Sequence, residues 1–432
     1  MRGHVFFSGV CFILACAMGS QAVAQDYARE RAAAGELREL CTEDGGRHWG
    51  VSLCGPLLVV DPATRAVWAS DQDREGQLAR TGEGWTGTLP AGVTMANTSV
   101  EWAGVLWIMV LGPLPADPAE RRVLVGHEAW HRVQAQLGLP MQASDNAHLA
   151  IERGRYFMRL EMRALAAALR SQGGARERAA EDALAFRRAR YGEFPEAFAQ
   201  EAALDRNEGL ASYTGVRLGA DDSEIFAART LDRHDSHDAL ARAYAYATGP
   251  AYGLLLDQFR RSWRRDLGAY APADLLASAL SAPAQSPREL QRSADRYGGP
   301  AVAAEEQART ESQRAQLADL RRRYAEGPRL ELPLARMQMD FDPNQVTPVE
   351  GLGSFYGRIT LRDRWGELVA AEGALINPSF TRMTVAAPGP DGLSGPGWRL
   401  TLNPAWRLTA NGAGVLRVEP APPPAPEVPA PD

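Results

Sequence analysis

The chain contains no lysine; all 47 of its basic residues are arginine. That absence excludes a Schiff-base lysine, a Ser-Lys dyad and the lysine of a phosphate-binding loop. Any chemistry must come from His, Asp, Glu, Tyr, Ser, Arg or a bound metal. Cysteine is scarce as well. Of four cysteines, Cys11 and Cys16 fall in an apolar N-terminal stretch, and only Cys41 and Cys54 follow it. Two thiols are too few for a cysteine-built zinc site. No long basic run occurs and the formal net charge is -6. A nucleic-acid partner is therefore not expected, because phosphate backbones need clustered positive charge. Long hydrophobic runs are missing too: no segment approaches the ~20 apolar residues of a membrane span.

What is present begins with an export pattern. Arg2, the short apolar stretch Val5 to Met18, and Ala22-Val23-Ala24 together read as a signal peptide over residues 1–24. The alternative is lipoprotein processing, with a lipid anchor on Cys16 after Ile13-Leu14-Ala15. Either way the expected location is periplasmic or secreted. In that oxidising setting Cys41 and Cys54 are expected to form one disulfide.

Hydrophobic residues make up 45% and charged residues 23% of the 432 positions, enough for buried cores in more than one domain. The pattern predicts an α+β fold. Residues 25–116 form a small antiparallel β region after a short helix. There Pro56-Leu57-Leu58-Val59-Val60 and Ala66-Val67-Trp68-Ala69 flank the turn Asp61-Pro62-Ala63-Thr64. The run Val105 to Leu111 reads as a buried strand. Residues 117–327 form a mainly helical domain that opens at Asp117-Pro118 and whose first helix stops near Gly138-Leu139-Pro140. Further helices are expected near 148–171, 176–191, 195–216, 236–248, 250–264 and 299–325. Residues 328–418 form a C-terminal β domain, and 419–432 a Pro-rich disordered tail.

One motif carries chemistry. His127 and His131 bracket Glu128-Ala129-Trp130 in a segment of helical periodicity. Four residues apart, the two imidazoles share one helix face and can reach the same Zn2+ ion. Glu128 sits ~100° round the helix, beside the ion, where its carboxylate can act as general base. A third protein ligand is needed. Candidates are His148, Glu152, Glu161, Glu208, His234 and His237, and Glu208 is the first choice.

His127-Glu128-Ala129-Trp130-His131 followed by Asn207-Glu208-Gly209-Leu210-Ala211-Ser212-Tyr213 resembles the gluzincin metallopeptidases. The second segment is similar to the aminopeptidase N-like and glycyl-aminopeptidase-like branches. The resemblance covers these two motifs within 117–255. It implies His127, His131 and Glu208 as zinc ligands and Glu128 as catalytic base. Glu208 follows His131 at longer spacing than those branches use, so Glu152 and Glu161 stay open as third ligands. A glutamate that anchors the substrate amine in the aminopeptidase branch is replaced here by Ala96, in Thr94-Met95-Ala96-Asn97. That departure disfavours aminopeptidase action.

Tyr246 is the expected donor to the developing oxyanion, with Tyr252 as second choice. His234 and His237 read either as a second metal pair or as part of a polar loop that starts a helix. The strand 105–111 or its neighbour at 97–102 is expected to bind a peptide or protein substrate by β-addition. The other readings are a non-catalytic binding scaffold and hydrolysis of another amide, such as a cell-wall crosslink.

Overall fold

The computed structural model describes residues 27–142, 144–268, 270–342, 345–411 and 414–422. The expected signal peptide, Cys16 and most of the expected tail lie outside them. The fold is α+β. The chain divides into two compact units, 1–302 and 303–432, so most of one long helix, Gly299–Arg321, belongs to the second unit.

The first unit opens with helix α1 (Ala28–Asp44) and six strands: β1 (Leu57–Val60), β2 (Ala66–Ala69), β3 (Ala79–Thr81), β4 (Gly84–Thr88), β5 (Thr98–Trp102) and β6 (Val105–Leu111). Their order is β3-β4-β2-β1-β6-β5. The expected all-antiparallel region is mixed: β1 and β6 run parallel, with Val59 opposite Val110. The reason is connectivity, since strands β2 to β5 intervene before β6 returns beside β1. Both faces of this central pair are covered, which explains their unbroken apolar sequence. Val59, Ile108 and Val110 pack with Leu37 of α1, while Leu58, Trp107 and Met109 form a separate cluster. Cys41 and Cys54 form the disulfide, tying the end of α1 to the approach to β1.

The helical part follows: α2 (Pro118–Gln134), α3 (Glu152–Arg170), α4 (Gly173–Glu193), α5 (Ala197–Leu204), α6 (Leu210–Gly219), α7 (Ser223–His234), α8 (Leu240–Phe259), α9 (Pro272–Ala279) and α10 (Pro287–Arg296). Two expected helices, 236–248 and 250–264, are the single α8, which runs through Pro250. An interior proline costs ~3 kcal/mol. Here Gly249 and Pro250 are both buried, and tertiary packing outweighs that cost. The helices α7, α9 and α10 were not expected.

The second unit begins within α11 (Gly299–Arg321) and carries a seven-stranded and a five-stranded sheet. Its core centres on Leu330, Leu332, Leu361, Trp365, Leu368 and Val385. Strand Val415–Pro420 pairs with Trp406–Ala410, so ordered β structure extends past the expected boundary at 418. This unit contains neither histidine nor cysteine. Among the described residues no helix is long and apolar enough to cross a membrane.

Candidate metal centre

Helix α2 is set by its ends and its stripe. Asp117 caps it, accepting from the Glu120 backbone N–H at 2.9 Å, and Pro118 occupies the first turn. Val125, Ala129 and Val133 pack towards α1 and the sheet. The face that remains presents His127 and His131, both buried.

Glycine brings the second helix close. A Cβ on Gly215 of α6 would lie 2.3 Å from the Val123 carbonyl oxygen of α2, and one on Gly219 would meet the Arg122 carbonyl carbon at 2.7 Å. On the opposite side α8 approaches as tightly. A Cβ on Gly249 would meet the Gly209 Cα at 2.3 Å, and one on Gly253 the Tyr213 ring at 2.1 Å. The segment bearing Glu208 is thus gripped between α2 and α8. It enters α6 through one π-helical turn, Asp205–Gly209, an irregularity common at functional sites.

That turn delivers Glu208 to the histidines. Its Oε2 lies 3.2 Å from His127 Nε2 and 3.5 Å from His131 Nε2, and the two Nε2 atoms are 3.1 Å apart. A tetrahedral zinc ion with bonds of about 2.0–2.1 Å holds its ligands about 3.3 Å apart. The three separations match the edges of such a tetrahedron. Glu128 Oε1 stands further off, 3.8 Å from His127 Nε2. Together His127, Glu128 and His131 form a buried group able to hold a metal ion. The distances favour Glu208 over Glu128 as the carboxylate ligand.

The far sides of both imidazoles are fixed. His127 Nδ1 lies 3.1 Å from Ser212 Oγ, and His131 Nδ1 lies 3.0 Å from Gln134 Oε1. An amide oxygen can only accept, so His131 donates from Nδ1, and in the neutral ring the lone pair then lies on the inward-facing Nε2. Gln134 Nε2 in turn donates to Asn207 Oδ1 at 3.0 Å, and Asn207 Nδ2 to Glu208 Oε1 at 2.9 Å. This chain of bonds links His131 to Glu208. Sequence reasoning did not assign Gln134, Asn207 or Ser212 a role. The only signal for Ser212 was its place one turn after Glu208.

Electrostatics couple the two histidines, Glu128 and Glu208. Burial pushes the Glu128 carboxyl above its ordinary range, with the two histidines pulling the other way. Its Oε2 is buried and has no hydrogen-bond partner. Burial alone would lower His131, yet Glu208 and Glu128 raise it. Burial also acts to raise Glu208, but the imidazoles beside it hold it well below the usual carboxylate range. Tyr246 stacks on the His127 ring, centroids 5.5 Å apart and planes 5° from parallel. Burial and then the Glu208 charge push its hydroxyl far up, so it keeps its proton.

The other candidates are engaged elsewhere. Glu161 is buried between Arg187 and Arg190, and Tyr252 donates to it at 2.8 Å. Tyr252 is therefore part of that cluster. Glu152 stands in the first turn of α3 and pairs with neither histidine. His148 binds Glu201 at 2.7 Å. His234 and His237 stack on each other, and their Nδ1 atoms meet the Thr230 carbonyl and the Ala239 N–H. His234 ends α7 instead of preceding a helix, and Asp235 closes that end by pairing with Arg159 and Arg163.

Beside the metal group lies a pocket of about 260 Å³ bounded by Val123, Leu124, Val216, Phe226 and Asn97, with His127, Glu128 and Tyr246 in its wall. No protein-family model, curated protein or solved structure matches this chain.

Proposed function

We propose that this chain is an exported, zinc-dependent peptidase of gluzincin type. The observation that carries the reading is the convergence of two imidazole nitrogens and the Glu208 carboxylate at zinc-ligand spacing. Beside them sits the buried, unpartnered Glu128 Oε2. A scaffold without activity gains nothing from such a carboxylate, which disfavours the non-catalytic alternative.

His127, His131 and Glu208 would hold the ion. When bound, zinc supplies Lewis acidity that polarises a carbonyl and makes water acidic enough to attack near neutral pH. Glu128 takes the proton from the attacking water as its oxygen bonds to the carbonyl carbon. Glu128 then delivers that proton to the departing nitrogen as the C–N bond breaks. Tyr246, which keeps its proton, donates to the oxygen on which charge develops. Ser212 and Gln134 hold the imidazoles in position.

The edge of the sheet gives the substrate a place. β6 is paired on both sides, so of the two strands considered only β5 offers a free edge. Asn97, immediately before β5, borders the pocket beside His127. A peptide added along β5 would present one side chain to the apolar wall formed by Val123, Leu124, Val216 and Phe226. With Ala96 where the resembling branch carries an amine anchor, internal bonds of a peptide or protein are the expected substrates. The disulfide suits an oxidising compartment, in keeping with export.

Metal content and casein cleavage, measured together in the wild type and in Glu128→Ala, test the reading. About one zinc per chain in both proteins, with activity lost only in the variant, supports it. Absence of zinc from both refutes the site. Zinc without peptide cleavage would leave the metal group standing and redirect the search to other amides, including cell-wall crosslinks.

A further inference from the structure

A second pocket, of about 830 Å³, lies at the turn between α1 and β1 and the segment following α8. Its lining includes Arg47, Arg261, Arg264 and Arg265, and contains no carboxylate. In a chain of net charge -6 this is a local concentration of positive charge. Arg47 spends its guanidinium on the backbone carbonyls of Asp44 and Glu43 and therefore keeps its charge uncompensated. Arg261 and Arg265 are exposed and pair with no acidic group among the described residues.

Arg264 is held differently. It lies over the rings of Trp263, Tyr213 and Trp49, at 4.7, 5.4 and 5.7 Å. Its Nη2 donates to His48 Nε2 at 2.8 Å and to Asp257 Oδ1 at 2.7 Å. Its Nε is buried and has no partner. Arg264 is thus a rigid part of the pocket wall whose charge is paired with Asp257, and the guanidiniums free to meet an anion are those of Arg47, Arg261 and Arg265. Trp49 and Leu139 add apolar wall to the same pocket.

We propose that this pocket binds a phosphate group carried on an apolar chain. Guanidinium forks match phosphate oxygens in geometry and charge, and the apolar wall accommodates the attached hydrocarbon. This site is separate from the metal group and does not depend on the peptidase reading.

The test titrates the chain with inorganic phosphate, hexyl phosphate and hexanol, read by tryptophan fluorescence and calorimetry. Hexyl phosphate is expected to bind saturably, more tightly than inorganic phosphate, and less tightly as salt is added. Arg261→Ser/Arg265→Ser is expected to weaken binding at least about tenfold with an unchanged melting temperature. Arg47→Ser, which enters the pocket from the other side, should weaken it in the same direction. Glu208→Ala should bind as the wild type does, showing that the phosphate is not held by the metal group. Equal affinity for inorganic and hexyl phosphate overturns the apolar-chain part of the proposal and leaves a site for free phosphate. Binding of hexanol alone, no saturable binding, or undiminished binding in the arginine variants overturns the proposal.

Discussion

The first unit holds two acidic clusters, one buried and one with Glu128 buried and Glu208 partly so, and they are satisfied in opposite ways. Glu161, Glu201 and Asp205 are met by guanidiniums of the same chain. Arg190 reaches Glu201 at 2.6 Å and Glu161 at 2.7 Å, and Arg187 reaches Glu161 at 3.0 Å and Asp205 at 2.6 Å. Glu128 and Glu208 pair with no arginine among the described residues; their cationic partners are imidazoles whose far nitrogens are already engaged. Buried carboxylates need compensating charge. The first cluster reads as a strut held by cations of the chain itself, although Asp205 Oδ1, Arg187 Nη2 and Arg190 Nη1 find no hydrogen-bond partner. The second is paired only with imidazoles, and on the proposed reading a metal ion supplies the rest of its compensation. The two meet at the π turn: Asp205 is fastened to Arg187, and Glu208, three residues on, faces the histidines.

The comparison breaks most visibly if an arginine is taken from the strut. Arg190 is fully buried and is bonded to two carboxylates. Arg190→Met should destabilise the first unit by about 3–5 kcal/mol, because buried carboxylates lose their partner. Denaturant unfolding measures this. Arg190→Met combined with Glu201→Met should recover a good part of the loss. Equal stability of the single variant and the wild type would show that the cluster is not structural.

A third polar group sharpens the contrast through pH. His48 accepts from Arg264, and burial first, then the Arg264 charge, lowers it to about 4. The unfolded chain takes up a proton near pH 6.5 that the folded chain refuses until about pH 4. Above pH 6.5 the group adds no pH dependence. Between 6.5 and 4 it removes stability progressively, on the order of 3 kcal/mol in all. Melting curves of the wild type and His48→Gln across that window should converge towards acid. Parallel curves would rule out a neutral, half-buried His48.

Some of this was legible in the sequence and some was not, for definite physical reasons. The positions of His127, Glu128 and His131 on one helix follow from a local period of 3.6 residues. Glu208 was reached through the residues around it. The parallel pairing of β1 with β6 was hidden, because pairing direction depends on chain path and not on composition. The continuity of α8 through Pro250 was hidden because a local penalty is overridden by packing against Gly209. Gln134 and Asn207 gave no signal, since their value lies in a bond between two helices 73 positions apart in sequence.

Glycine packing offers a smaller perturbation of the metal group alone. A methyl at Gly249 would press on the Gly209 Cα and carbonyl, at 2.3 and 2.4 Å, which are backbone atoms and cannot swing aside. Gly249→Ala should cost about 1–3 kcal/mol. It should also weaken zinc binding by displacing the turn that bears Glu208. Gly192 in α4 is the control, since a methyl there meets nothing within 4 Å. Gly192→Ala should be neutral or stabilising by up to about 1 kcal/mol. If both variants behave alike, the close approach of α8 is not what positions Glu208.

The finest test touches neither a ligand nor the packing. Ser212→Ala removes one oxygen, the one 3.1 Å from His127 Nδ1. The imidazole then loses the group that holds its orientation. Partners of this kind typically change metal affinity 10–100-fold. Competition with a chelator of known affinity should show that loss in Ser212→Ala at unchanged thermal stability of the metal-free protein. The strut has no equivalent sensitivity, because its cations are covalently part of the chain. If removing the Ser212 hydroxyl lowers stability without changing zinc affinity, His127 belongs with the structural histidines, alongside His148, and the two clusters differ less than their geometry indicates.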